Sequence, residues 1–387
     1  MNTGRPLRVA LFSETFLPKL DGVVTVMCLL LDHFKSRGIE AMMFSGGKHV
    51  DSYNGFPVVS ITPSVPMPMY PEIRMTIPMR KTFQALQEFD PDIIHIASPM
   101  HTGLAFMRFA KKLDKPMVMS FHTHIMSMAK FYKLGFLEGI LWSLHRYVYN
   151  KALYRWATSK RVQEELLAHG FGPTGLWRRG VDPSIFSPGP VDMEVRARLS
   201  NGNPEKTLLL FVGRLAPEKQ IEQIKHVLEA IPNTHLVIVG DGPFRDKLEK
   251  IYSGMPVTFA GYLSGQNLTE AYRAADIFTF PSAIETFGLV VAEAMAVGLP
   301  VVSSRVGGIP EIITSGENGY IFEPNDVSTM INYVRDLVEH PQKREMMSKR
   351  AVEAVQHLTW PAIMDELIAD YYRIIETYQA EKATPVS

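Results

Sequence analysis

Cysteine is nearly absent. Cys28 stands alone among 387 residues, which excludes an intrachain disulfide and a cysteine-built metal cluster. It falls in an apolar helical stretch and is expected in the core. Long uncharged apolar runs are missing too, none approaching the ~18 residues that span a bilayer. The opening MNTGRPLRVALFSETF holds too short an apolar run for a secretion signal. A soluble or peripheral protein inside the cell is therefore expected. Net charge is also lacking, since 40 Lys+Arg balance 40 Asp+Glu. That balance hides an asymmetry: residues 1–190 hold 22 basic against 14 acidic residues, and residues 191–387 hold 18 against 26. A basic first half suits an anionic partner such as a membrane surface, or else the mutual attraction of two opposite halves. A dinucleotide fingerprint is missing as well. Gly240-Asp241-Gly242 begins like one, but Arg245 stands where the third glycine belongs, which argues against NAD chemistry.

What is present fits two α/β domains. The length suits two cores, and 46% hydrophobic content can fill them. Short apolar runs at 7–12, 41–44, 58–61, 93–96 and 118–121 read as buried parallel strands with helices between them. The pattern resumes at 208–212, 236–239, 257–259, 277–280 and 301–303. Such alternation predicts doubly wound parallel sheets. The stretch 177–190, WRRGVDPSIFSPGP, reads as a linker, giving domains of 1–188 and 189–360, with a last helix near 361–378 that packs back on the first. Asp182 within it reads as a turn residue, and so does Asp90-Pro91-Asp92, which precedes its strand and so sits at the amino edge.

Two segments break the rhythm. Residues 61–80, rich in proline and methionine, read as a long loop, suited either to gripping a lipid or to packing on its own domain. From Lys130 to Trp156, Phe136, Ile140 and Leu144 share one helical stripe and Leu137, Leu141 and Val148 another. Lys130, Lys133, Arg146, Lys151 and Arg155 add positive charge. This make-up fits a helix lying on an anionic membrane, or an ordinary helix facing a core.

The richest stretch is 280–300, FPSAIETFGLVVAEAMAVGLP, a strand end, a loop and a helix opening near Gly288. Amides of Phe287, Gly288 and Leu289 at a helix N-terminus suit an anion such as a diphosphate. Glu285 and Glu293 bracket them, and carboxylates accept sugar hydroxyls. Surface acids on a capped helix would look the same. After another strand, Arg214 and Lys219 stand ready to clamp phosphate oxygens. Gly22, between a strand and a helix, lets backbone approach a ligand, or serves a turn. His122 and His124 follow a strand directly; no neighbouring acid or cysteine completes a metal set, and His124 reads as a polar group facing the reacting centre.

Together Glu285-x7-Glu293, Gly213-Arg214 with Glu218-Lys219, Phe121-His122-Thr123-His124 and Gly180-Val181-Asp182 resemble the family-4 retaining glycosyltransferases, over nearly the whole chain. Trp177-Arg178-Arg179-Gly180-Val181-Asp182, Arg198-Leu199-Ser200 and Val239-Gly240-Asp241-Gly242-Pro243 are similar to that family's sulfoquinovosyldiacylglycerol synthases, although Phe287 stands where leucine is expected. The resemblance implies a GT-B fold, two Rossmann-like domains facing across a cleft. It implies transfer of sulfoquinovose from UDP-sulfoquinovose to diacylglycerol with retention, without metal or cofactor and without nucleic acid. The enzyme would sit peripherally, as a monotopic protein, on the cytoplasmic face of a membrane, a photosynthetic one in that group. Arg214 and Lys219 would neutralise the diphosphate, with Gly22 and the amides of Phe287, Gly288 and Leu289 completing its cradle. Glu293 would accept ribose hydroxyls, Glu285 donor-sugar hydroxyls, and His124 would meet the sugar. Lys19, Arg178 and Arg179 are candidates for the sulfonate. A UDP-glucose- or GDP-mannose-dependent lipid transferase, and from another class a nucleotide-sugar epimerase, remain as alternatives.

Overall fold

A computed structural model describes residues 5–18, 21–46, 50–67, 70–76, 80–97 and 103–383. The chain divides into two compact units, Met1–Arg178 with Pro361–Ser387, and Arg179–Trp360. Strands of the first unit are β1 (Arg8–Ser13), β2 (Glu40–Gly46), β3 (Ser52–Tyr53), β4 (Phe56–Ile61), β5 (Ser64–Met67), β6 (Tyr70–Thr76), β7 (Ile93–Ala97), β8 (Met117–Phe121), β9 (Tyr154–Ala157) and β10 (Thr174–Leu176). Their main sheet runs β10-β9-β8-β7-β1-β2-β4-β3, parallel apart from β3. Helices follow β1, β7, β8 and β9, and the central strands β7 and β8 are buried on both faces and read as continuous apolar runs. Phe106 fills the space beneath Phe12 and Phe44, with ring centroids 4.9 and 5.5 Å away.

The second unit holds β11 (Thr207–Val212), β12 (Thr234–Val239), β13 (Val257–Gly261), β14 (Ile277–Phe280), β15 (Val301–Ser304) and β16 (Tyr320–Phe322). Its sheet is parallel throughout, ordered β13-β12-β11-β14-β15-β16. The winding direction reverses between β11 and β14, and in the first unit between β1 and β7. Open parallel sheets bind ligands outside the carboxyl ends of strands at such reversals. Both units are therefore Rossmann-like, as a GT-B chain requires.

The last helix, Trp360–Ala383, belongs to the first unit. Asp365 on it accepts from Arg37 Nε at 2.9 Å and pairs with His33 Nε2 at 2.8 Å. Asp90-Pro91-Asp92 is a turn at the amino edge, with Asp92 accepting from the Arg8 amide at 2.9 Å. Asp182 takes the Ser184 amide, at 2.9 Å, in a second turn.

Several expectations need correction. Residues 61–80 are not one long loop: β5 and β6 form an antiparallel ribbon there, a form that tolerates prolines because both strands are edges. The basic stretch from Lys130 is not one helix. It passes through Ile125–Phe131, a short 3-10 turn at Gly135–Leu137 and Glu138–Tyr149, and ends in β9. Arg155 accordingly does not face a membrane; it is buried and donates to the carbonyls of Tyr149, Ala152 and Pro173 at 3.3, 2.8 and 3.2 Å. The division between the two units falls inside the stretch 177–190, after Arg178, with Trp177 buried in the first unit and Val181 in the second unit's core, where it bridges Thr359. Cys28 is half-buried, and burial pushes its thiol up to about 11.

Candidate active site

The second unit gathers its functional side chains at the carboxyl ends of β11 and β14. Backbone packing there is extremely close. A Cβ on Gly240 would lie 2.0 Å from the Gly213 carbonyl oxygen, and one on Gly307 2.3 Å from that of Glu285. Only glycine lets these loops meet. Backbone hydrogen bonds then lock them: the Leu215 amide donates to the Asp241 carbonyl at 2.9 Å, that of Ala283 to Glu218 at 2.8 Å, and that of Gly308 to Thr286 at 3.1 Å.

This frame sets Lys219 against Glu285. The ammonium and the carboxylate form an ion pair, with side chains 16% and 17% exposed, and Lys219 also lies 5.5 Å above the Phe280 ring. An ammonium carries three donors, so one spent on Glu285 leaves others to turn elsewhere. Arg214 follows β11 directly and is half-buried.

Gly288 takes a left-handed conformation, φ 95°, and opens the helix Leu289–Val297 with no side-chain cap. The amides to which the sequence reading assigns an anion stand at this uncapped helix start. Phe287 turns its side chain into the core, so its replacement of leucine is a packing matter and leaves its backbone amide in place. One turn into the helix, Glu293 accepts from Tyr272 Oη at 3.0 Å. Burial pushes Glu293 up to about 7, and the Tyr272 hydrogen bond works in the opposite direction. Tyr272, fully buried and also donating towards the Val290 carbonyl, went unrecognised in the sequence because it lies 21 residues away.

In the first unit, Gly22 begins the helix Gly22–Ser36, and a Cβ there would meet nothing within 4 Å among the described residues. The Asp21 carboxylate holds the amides of Val23 and Val24, each at 3.0 Å. His124 is more tied than expected. Its Nδ1 accepts the Ser127 amide at 3.1 Å, capping the helix Ile125–Phe131, and its Nε2 meets Glu165 at 2.9 Å. Burial alone would raise Glu165, but the hydrogen bond and charge of His124, with smaller help from His169 and Arg161, hold it below its usual range. Of the sulfonate candidates, Arg178 is exposed and Arg179 is buried. Burial draws the Arg179 guanidinium down to about 9, which still leaves it protonated at neutral pH. Lys19 lies outside the described residues. Among the described residues, no three His, Cys, Asp or Glu side chains gather as a metal site.

Comparison with known proteins agrees with this geometry. The Glycosyltransferase Family 4 model matches residues 20–185, and that of glycosyl transferases group 1 matches residues 195–354. The chain is 34% identical to a sulfoquinovosyl transferase of Arabidopsis thaliana, over 95% of this chain and 74% of that one. It is 32% identical to a GDP-mannose-dependent alpha-mannosyltransferase of Corynebacterium glutamicum, over 97% and 91%. Among solved structures, sucrose-phosphate synthase of Thermosynechococcus elongatus superposes with a TM-score of 0.78 at 23% identity, covering 96% of this chain and all of that one. HepE of Anabaena, in complex with UDP and glucose, gives 0.76 at 18% identity over 95% and 100% of the two chains. At such identities the two structures establish the fold alone.

Glu293 gives a pH-dependent prediction. The folded chain holds this proton more tightly than the unfolded chain, whose carboxyl titrates near 4.5. Its favourable contribution is full below pH 4.5 and lost as pH rises through about 7. Glu293→Gln removes the penalty, so the ligand-free variant should be more stable than the parent at pH 8, by up to roughly 3 kcal/mol. At pH 4 the two should match. Thermal melts at both pH values check this, and an equal difference at each would refute it.

Proposed function

The chain belongs to glycosyltransferase family 4 and is a hexosyltransferase, and on that premise we propose that it moves sulfoquinovose from UDP-sulfoquinovose to diacylglycerol. The observation that carries the reading is the Lys219–Glu285 pair, three residues ahead of the uncapped helix start at Gly288. A cation and helix amides suit a diphosphate, and adjacent carboxylates suit the hydroxyls of ribose and sugar. In the proposed reaction the C1–O bond breaks and its electron pair leaves on the diphosphate, where Lys219 and Arg214 meet the developing charge. The acceptor hydroxyl adds to C1 on the same face and passes its proton to the departing phosphate oxygen. This route retains configuration and draws its positive charge from the protein, with no metal or cofactor. Gly22 and His124 keep, as part of the proposal, the donor-contact roles that the resemblance implied. Arg178, which is exposed, and Arg179, which is buried, both stay in the proposal as candidates for the sulfonate.

A lipid acceptor is supported by a ridge on the first unit. Phe136, Ile140, Leu144 and Tyr147 are 78, 65, 48 and 59% exposed, at steps of four, four and three. On the other stripe Val148 is buried and Leu141 half-buried, which decides which of the two stripes faces outward. Lys130, Lys133, Arg146 and Lys151 are exposed around the ridge, and each cation near an anionic leaflet is worth about 1 kcal/mol. No described helix is long and apolar enough to cross a membrane. We propose peripheral contact through this ridge at the cytoplasmic face, in a photosynthetic membrane if the sulfolipid reading holds.

A second reading, GDP-mannose-dependent transfer to a lipid, is favoured by the mannosyltransferase relatives, which match almost the whole chain. Purified protein should be given diacylglycerol in anionic vesicles with EDTA, and UDP-sulfoquinovose, UDP-glucose or GDP-mannose in parallel. The expected product arises from UDP-sulfoquinovose alone. Product from GDP-mannose alone would establish the second reading instead, and no product from any donor would overturn the lipid acceptor. Ile140→Asp should weaken vesicle sedimentation several-fold, and salt should weaken that of the parent. Unchanged sedimentation would remove the ridge from the proposal.

A further inference from the structure

Four side chains of the first unit form a buried hydrogen-bonded row. Tyr371 Oη lies 2.5 Å from His95 Nδ1, His95 Nε2 lies 2.8 Å from Ser120 Oγ, and Ser120 Oγ lies 2.6 Å from His122 Nε2. All four are buried. The row follows from strand parity. His95 on β7 is in register with Val118, and Ser120 on β8 with Ala97 and Trp156, so His95, Ser120 and Trp156 share one sheet face. The helix Trp360–Ala383 is held against these residues by Tyr371 and by Asp370, which accepts from Trp156 Nε1 at 2.9 Å. Trp156 and Trp177 enclose the rings, with centroids 5.3 and 5.5 Å from His95, and Trp177 lies 5.3 Å from His122.

Such a row has two coherent directions, and Tyr371 decides between them. A phenol buried this deeply must place its own proton, and among the described residues its hydrogen-bond partner is His95. Burial, with a smaller effect of Asp370, pushes the phenol well above its usual range, so it stays protonated. If His95 donated to Tyr371, the phenol O–H would be orphaned, a costly state in the interior. Tyr371 therefore donates to Nδ1 of His95, whose Nε2–H donates to Ser120, whose hydroxyl donates to Nε2 of His122.

We propose that Tyr371, His95 and Ser120 are positioning residues that fix His122 in its Nδ1–H tautomer, so that His122 acts at the carboxyl edge of β8 as a hydrogen-bond donor and not as a base. The last helix thus reaches the ligand-facing edge of the sheet through three side chains, and the wrong tautomer would turn a donor into an acceptor. His124 lies outside this row, its Nδ1 accepting the Ser127 amide and its Nε2 facing Glu165. The effect on turnover rests on the transferase reading; the tautomer does not.

The test is long-range 1H–15N correlation of the full chain labelled with 15N-histidine and free of ligand. Signals would be assigned with His95→Gln and His122→Gln. In the parent, His122 should carry its proton on Nδ1. Tyr371→Phe keeps the ring and removes the donor, and should mix the tautomers of His95 and His122. Ser120→Ala should release His122 while leaving His95 bonded to Tyr371. In whichever transfer assay the parent supports, both variants should lose kcat by about tenfold, the scale on which groups that orient a histidine act, with KM for the donor within about twofold. An Nε2–H tautomer in the parent, or tautomers and kcat unchanged by both substitutions, would overturn the proposal. A correct tautomer in a chain that transfers no sugar would count against the transferase substrates and leave the relay standing.

Discussion

The ion pair between Lys219 and Glu285 is the constraint to which the second unit is fitted. A cation and an anion, each less than a fifth exposed, persist only where geometry compensates for the water they lose. That geometry comes from backbone. Gly240 lets the loop after β12 touch the one after β11, and Gly307 lets the loop after β15 touch the one carrying Glu285. The result is a rigid edge where positive charge, free helix amides and carboxylates are set before any ligand arrives. Electrostatic stabilisation of a leaving diphosphate depends on such preorganisation, because nothing needs to reorient as charge develops.

The two units differ along the charge asymmetry already present in the chain. The second, in the acidic half, presents Glu285 and Glu293 with a few placed cations, a combination for hydroxyls and phosphate. The first, in the basic half, carries exposed Lys130, Lys133, Arg146 and Lys151 around an apolar ridge, on which the proposed membrane contact rests. It also encloses a polar row beneath the carboxyl edge of β8. The last helix returns to the first unit for reasons visible in its residues: Asp365 is held by His33 and Arg37, and Asp370 by Trp156.

Legibility from sequence followed the range of the interaction. Central parallel strands were plain, since both faces are buried and each is a continuous apolar run. β9 was hidden because Arg155 interrupts its pattern, and that arginine is satisfied by backbone carbonyls on both sides of the strand, those of Tyr149, Ala152 and Pro173. The ribbon of β5 and β6 was hidden by its prolines. At the site, Glu285, Lys219 and the glycine turn at 288 could be found because the chemistry is local to loops after strands. Tyr272, Glu165 and the row from Tyr371 to His122 could not, because each partner joins only through tertiary packing. Of the two histidines in the Phe121-His122-Thr123-His124 stretch, sequence alone favoured His124, whereas the described contacts of His124 are a helix cap and Glu165. The helical stripes at 136–148 were visible, but which one faces outward depends on the core beneath them.

The central claim is that Lys219 serves the diphosphate while Glu285 and Glu293 serve hydroxyls. Calorimetric titration of the parent and of Lys219→Gln with UDP and with uridine tests it most directly. Glutamine still donates to Glu285 but carries no charge. UDP affinity should fall at least tenfold, ~1.4 kcal/mol, while uridine affinity stays the same. If UDP and uridine lose affinity equally, or neither does, Lys219 holds the loop and not the phosphate, and the account of the site is wrong.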